Sequence, residues 1–254
     1  MPTTLGYVVA FVLGSIAASF ANVCIHRLPL RQSVVYPASR CTSCQHPLRP
    51  WHNLPIVSFA ALRGRCAFCQ EPISWRYPLV ESLGGLLYLV GYHQLGLSVH
   101  AFAYALLVTA LLIVAFIDLA HLIIPDAVTL PGIVAGAAIA LLPSSIGFAN
   151  AVAGACLGGG IFFLIALAYP AGMGGGDVKL IAMIGAFVGW QAVLVAIILS
   201  AFCGALIGLT LILLGLRGRR DPVPFGPFLA IGGITAMLWG EALLAWYGRL
   251  TLSF

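Results

Sequence analysis

Residues 101–118 read AFAYALLVTALLIVAFID, with no charge before the closing Asp118. A helix rises about 1.5 Å per residue, so about 20 apolar residues cross the hydrocarbon core of a bilayer. This stretch is therefore read as a membrane span that ends on an acid. Working outward, comparable apolar runs lie at about 5–25, 79–97, 126–143, 149–169, 177–190, 191–216 and 226–247, the sixth and seventh meeting near Gly189-Trp190. Together they predict an all-α polytopic membrane protein of about eight transmembrane helices. Composition agrees: 61% of the 254 residues are hydrophobic and 7% charged, where soluble domains carry about 25% charged residues. A soluble globular fold is excluded.

The first run has no Lys or Arg ahead of it; Arg27 and Arg31 follow it instead, so it reads as a retained helix rather than a cleaved secretory signal. The one sizeable polar segment is 26–78. The chain thus divides into a first transmembrane helix (1–25), a small module (26–78) and a multi-helix membrane core (79–254). If eight spans alternate, Arg27, Arg31, Arg40, Arg49, Arg63, Arg65, Arg76, Lys179, Arg217, Arg219 and Arg220 share one face and only Arg249 lies opposite. The positive-inside rule makes that face cytoplasmic. The formal charge of +5 therefore reports orientation in a lipid bilayer, and nucleic acid is not an expected partner. Small residues four apart, Gly132/Gly136, Gly154/Gly158 and Gly204/Gly208, read as close helix contacts.

Within the module, Cys41-x2-Cys44 and Cys66-x2-Cys69 have the paired-knuckle spacing of a structural zinc site. Thiols on the cytoplasmic side stay reduced, which disfavours disulfides. Four cysteines are the expected ligands, with His46 and His52 as alternatives, and a redox pair is the competing reading. A closed four-ligand site predicts a folding role rather than catalysis.

Only seven residues are acidic, few enough to weigh singly. Acids at membrane depth are functional suspects, and Asp118 and Asp177 both fall at span ends. Two spans separate them, one out and one back, so both return to the cytoplasmic end of the bundle. Close carboxylates share one proton: one can activate water while the other polarises a carbonyl. Asp177 follows Gly174-Gly175-Gly176, a stretch that lets backbone approach an extended peptide. Helix capping is the plainer account of Asp177 taken alone, and of Asp126 after Pro125. Glu81 enters a span from the cytoplasmic side and reads either as a cap or as a site residue.

These residues resemble the type IV prepilin peptidase family, whose aspartyl proteases carry a GxGD motif. Four blocks in family order carry the resemblance: Ser19-Phe20-Ala21-Asn22-Val23 leading to Arg27-Leu28-Pro29; the double CxxC with Arg63-Gly64-Arg65 and Tyr77–Glu81; Ile117-Asp118 with Ile124-Pro125-Asp126; and Gly174-Gly175-Gly176-Asp177-Val178-Lys179-Leu180, with Pro224-Phe225-Gly226-Pro227 later. One departure is Ala18, where the family has Gly. The resemblance implies Asp118 and Asp177 as the catalytic pair, Gly174, Gly176 and Lys179 as site-shaping, and Glu81 and Gly64 as substrate or cofactor contacts. It also implies zinc in the module, prepilin and pseudopilin substrates in the bacterial inner membrane, and methylation of the new amino terminus with S-adenosylmethionine. A transporter or channel with a zinc module is the alternative, since broken Gly-rich helices with intramembrane acids also mark ion paths. A scaffold protein is a third reading. A prepilin-like peptide discriminates them: only the peptidase cuts it.

Overall fold

The computed structural model describes all residues except 1, 2, 171, 217, 219, 220, 253 and 254, and only the backbone of 250–252. Three arginines of the orientation count, Arg217, Arg219 and Arg220, lie outside the described residues. The helices are α1 (Thr4–Arg27), α2 (Val57–Ala61), α3 (Arg76–Leu95), α4 (Val99–His121), α5 (Asp126–Ile139), α6 (Phe148–Ala168), α7 (Gly175–Leu213) and α8 (Gly226–Leu252). Among the described residues there are no strands, only two isolated bridges. Five helices (α1, α4, α6, α7 and α8) are long and apolar enough to cross a membrane. The expected all-helical membrane fold is present.

The chain forms two compact units, residues 1–97 and 98–254. In the first, α1 packs along α3. Their backbones meet closely because Gly14, Ala18 and Gly84 interlock: a Cβ on Gly14 would lie 2.7 Å from Tyr88 Cβ. The cysteine module fills the connection between these helices.

In the second unit, the core is built from Leu107, Leu111 and Val114 of α4, Leu180, Ile181 and Ile184 of α7, and Leu229 of α8, all fully buried. Helix α7 is two helices, because Gly189 at φ +83° and ψ 175° breaks it. The Asn150 carboxamide of α6 accepts the Trp190 N–H at 3.1 Å and so caps the second half. The break reverses the chain. On one side Gly158 of α6 faces Ile181 before the break and Val193 after it; on the other, α8 sets Gly233 against Ile184 and Gly232 against Ala196. The two halves of α7 thus run side by side, as the boundary near Gly189-Trp190 anticipates. A left-handed residue is tolerated here because glycine lacks Cβ.

Five of the six paired glycines face a neighbouring helix; only Gly208 has nothing within 4 Å. The tightest backbone-to-backbone approach joins Gly154 to Gly185, where a Cβ on either would overlap the other's carbonyl oxygen. Without a hydrophobic drive inside lipid, such backbone contact supplies the packing energy. Gly185→Leu is expected to part α6 from α7 and to destabilise the unit by about 1–3 kcal/mol, measurable as a lower Tm in detergent.

Candidate functional site

Asp118 occupies the last turn of α4 and is 5% exposed. Its Oδ2 accepts the N–H of Gly226, the first residue of α8, at 2.8 Å. That N–H has no partner inside its own helix, and its bond to a carboxylate is charge-assisted. A Cβ on Gly226 would come within 2.8 Å of Oδ2, so only glycine lets α8 start this close to the acid.

Asp177 is the third residue of α7, and its carboxylate accepts the Gly174 N–H at 3.3 Å. The residue capping the helix is Gly174, and Asp177 closes the turn from inside, one half of a capping box. The start of α7 packs on the connection after α4: a Cβ at Gly176 would lie 2.8 Å from Ile124 Cβ. Asp177 lies within electrostatic reach of Asp118. The end of α4 and the starts of α7 and α8 therefore converge on two carboxylates, with the positive ends of two helix dipoles directed at them. Paired acids in this setting can divide the labour of a general acid and a general base.

Asp126, read as a cap, is not one. Pro125 is the capping position of α5, and the Asp126 carboxylate instead receives the Lys179 ammonium, 2.7 Å from both oxygens. The pair ties the starts of α5 and α7 together, a long-range contact that sequence spacing does not reveal. Both side chains are about half exposed (41% and 55%), so Lys179→Met is expected to lower stability by no more than about 1 kcal/mol, read as a small Tm shift that the charge-swapped double variant restores.

In the first unit the four Sγ atoms of Cys41, Cys44, Cys66 and Cys69 lie within 4.8 Å of one another. The two knuckles repeat in sequence and shape. CTSCQHP at 41–47 and CAFCQEP at 66–72 are each closed by a bridge, Arg40 to Pro47 and Arg65 to Pro72. In each the first cysteine's N–H bonds five residues on, Cys41 to His46 at 3.0 Å and Cys66 to Glu71 at 2.9 Å. Cys41 and Cys69 Sγ are 3.8 Å apart, the edge of a tetrahedron whose metal–sulfur bonds are about 2.3 Å. This cluster could hold a metal ion. His46 and His52 stand apart from it, their rings packed on Phe68 at 3.7 and 5.5 Å. The thiols share their protons unevenly. Desolvation raises the Cys41 thiol, but N–H groups of Cys44 and Ser43 and the neighbouring thiols hold it down to about 7. The Glu71 N–H draws Cys69 down, and desolvation with the other three thiols outweighs it, pushing Cys69 up to about 12.

Glu81, on the second turn of α3, is 8% exposed. Its Oε2 accepts the N–H of Ile56 at 2.8 Å, and the Ser19 hydroxyl of α1 donates to the same carboxylate. Gly64 sits at φ +69° in the turn before the second knuckle, where its carbonyl accepts the Ile73 N–H at 2.7 Å. Sequence reasoning did not single out Asn22 or Gly226 as site residues, although both lie in blocks already quoted. Asn22 is 2% exposed; its Nδ2 donates to Tyr77 O at 3.1 Å while its buried Oδ1 has no partner. Such an orphaned acceptor costs about 1–3 kcal/mol. The available signal was an amide inside an apolar span.

A family model described as the type IV leader peptidase family matches residues 105–209, and one described as the bacterial peptidase A24 N-terminal domain matches residues 12–95. The chain is 37% identical to a prepilin leader peptidase/N-methyltransferase of Aeromonas hydrophila, over 96% of its own length and 94% of that protein. The chain belongs to the type IV leader peptidase family. Proteins of the same name from Pseudomonas putida (39% identical, 93% of this chain and 91% of theirs) and Pseudomonas aeruginosa (37%, 93% and 91%) are similar over the same extent. No solved structure matches. As a member of this family, the chain places its two matched segments one in each compact unit: Asp118 and Asp177 fall in the peptidase segment, and the four cysteines, Asn22 and Glu81 in the N-terminal one.

Proposed function

We propose that this chain is a membrane aspartyl endopeptidase that cuts the basic leader from type IV prepilins and pseudopilins at the cytoplasmic face of the bacterial inner membrane. The new amino terminus is then N-methylated with S-adenosylmethionine. The observation that carries the peptidase reading is the convergence of three helix ends on Asp118 and Asp177. One acid, ionised, takes a proton from water; the other, protonated, donates to the scissile carbonyl, and the roles reverse as the amine leaves. The Gly226 N–H holds Asp118 in place through both steps. Gly174 and Gly175 leave the rim of the site free of side chains, so an extended peptide backbone can lie against it, while Gly176 packs on Ile124. The basic residues of the module support a cytoplasmic orientation.

Zinc is the metal we assign to the four-cysteine cluster, in a structural role. Sulfur-only ligation at tetrahedral spacing suits zinc, and a closed four-ligand site leaves no position for substrate. Bound S-adenosylmethionine supplies an electrophilic methyl group. The residues of the first unit fit methyl transfer to an amine, because the buried Glu81 carboxylate can accept a proton and Asn22 Oδ1 is an unpaired acceptor.

The direct test is purified full-length protein in detergent with a prepilin-like peptide whose leader is basic and whose mature part is apolar. Cleavage at a single bond before the apolar segment, followed by a gain of one methyl mass on the new terminus, is the expected result. No cleavage by folded, metal-replete protein rejects the reading.

A further inference from the structure

Unit 1 carries a group that neither peptide hydrolysis nor metal binding uses. Glu81 and Glu71 are the only acids before residue 98. Glu71 is exposed on the second knuckle, whereas Glu81 is buried between helices. Among the described residues no cationic side chain pairs with Glu81; the one salt bridge is Lys179–Asp126. Arg27, also buried, gives its guanidinium to the carbonyls of Ser33 and Ala38 at 3.0 and 3.5 Å. Arg76 rests over the Tyr77 ring at 5.5 Å. Glu81 is thus a buried carboxylate with two neutral donors, the Ile56 N–H and the Ser19 hydroxyl.

Across the same helix pair stands the orphan. Asn22 lies one turn beyond Ser19 on α1, and its amide is anchored to Tyr77, one turn before Glu81 on α3. Residues three or four apart share a helix face, so Ser19 and Asn22 meet Glu81 and Tyr77 across one helix pair. The Nδ2 is used and the Oδ1 is buried without a partner. A carboxylate offers about four lone-pair sites and an amide oxygen two, and neither donates. What the pair lacks is a donor bearing several N–H groups and positive charge. A primary ammonium is that group.

We infer that Glu81 and Asn22 bind the newly exposed α-amino group of the cleaved substrate and serve its methylation, an inference that rests on the two-step reading above. Asn22 Oδ1 accepts one N–H and orients the nitrogen lone pair. The Glu81 carboxylate takes one proton from the bound ammonium and frees that lone pair; the nitrogen then forms its bond to the methyl group of a methylsulfonium donor, and the carbon–sulfur bond breaks with its electron pair left on sulfur. Charge balances: two cations and one carboxylate become a neutral thioether, a methylated ammonium and a carboxylic acid. Ser19 and the Ile56 N–H position Glu81 for this transfer.

The competing account makes Glu81 a mere tether for Ile56, whose φ of +63° is unusual for a branched residue. Glu81→Gln separates the two, because the glutamine oxygen still accepts from Ile56 and Ser19 while the negative charge is gone. The full-length variant is assayed by mass spectrometry for cleavage and for the methyl mass. Its affinity is also measured, without methyl donor, for a cleaved peptide with a free amino terminus and for the same peptide N-acetylated.

Wild type is expected to bind the free-amine peptide about tenfold or more tightly over the acetylated one, and Glu81→Gln to lose that preference. The variant should keep cleavage and lose methylation by about 10²-fold or more. Asn22→Ala should weaken amine preference in the same direction, with metal content unchanged. Methylation at the wild-type rate in Glu81→Gln overturns the inference. So does an equal affinity of wild type for the two peptides. Loss of cleavage together with methylation in Glu81→Gln assigns the residue to the tether alone and overturns it as well. Failure of the wild type to cleave at all rejects the peptidase reading instead, and the amine-binding arm still decides Glu81.

Discussion

Asp118→Asn and Asp177→Asn are each expected to lower peptide cleavage by about 10³-fold or more, the scale on which removal of a general acid or base acts. The substitution is nearly isosteric. At position 118 the amide oxygen can still accept the Gly226 N–H that the carboxylate accepts at 2.8 Å, and at position 177 it can still close the turn at Gly174. Folding should therefore survive while the ability to carry a proton is lost. Because the acids act as a unit, the double variant should be no worse than either single one. The wild-type rate should follow a bell-shaped pH profile, since one partner must be ionised and the other protonated, and its two limbs belong to the pair. Single-turnover cleavage of a prepilin-like peptide, with Tm as the folding control, measures this. A variant that keeps more than a tenth of wild-type cleavage would remove the pair from the chemistry.

The second large effect concerns the module. Cys41→Ser with Cys44→Ser removes one knuckle of the thiol cluster whose sulfurs lie within 4.8 Å of one another. Metal content is expected to fall from about one zinc ion per chain to none, because two thiolates do not hold a structural zinc. Residues 28–75 carry little apolar core of their own: among them Cys66 is the one buried hydrophobic side chain. Metal coordination must supply the missing folding energy, so protease sensitivity of this segment should rise sharply. A strong chelator should act in the same way on wild type, reversibly on adding zinc. Unchanged proteolysis of the metal-free protein would contradict a structural metal. Residues 98–254 form a separate compact unit and should keep their helix content in either case.

Much of this architecture is legible in the amino-acid order because a bilayer imposes simple rules. Apolar runs of fixed length locate α1, α4, α6 and α8 to within a few residues, since every backbone polar group in lipid must be satisfied inside its own helix. Even the turn at Gly189 shows as a glycine at the seam of two runs. The double CxxC likewise declares itself, because a tetrahedral thiolate site needs two pairs on two tight turns and the motif supplies both locally. Asp126 was less legible. Its place after Pro125 pointed to a cap, and only the distant Lys179, 53 residues on, explains the side chain.

By itself, then, the order of residues determined what is governed by local chemistry: the spans, their break, the paired cysteine knuckles and the two acids at span ends. The meeting of those acids was decided in three dimensions. It depends on α8 beginning at a glycine small enough to donate its N–H to Asp118, and on Gly176 packing against Ile124. The surroundings of Glu81 were decided there too, where Ser19, Asn22, Ile56 and Tyr77 come together from three separate segments. Periodicity records which face a residue presents within its own helix. It carries no record of which distant backbone group completes a hydrogen bond, because that partner is chosen by packing of whole helices.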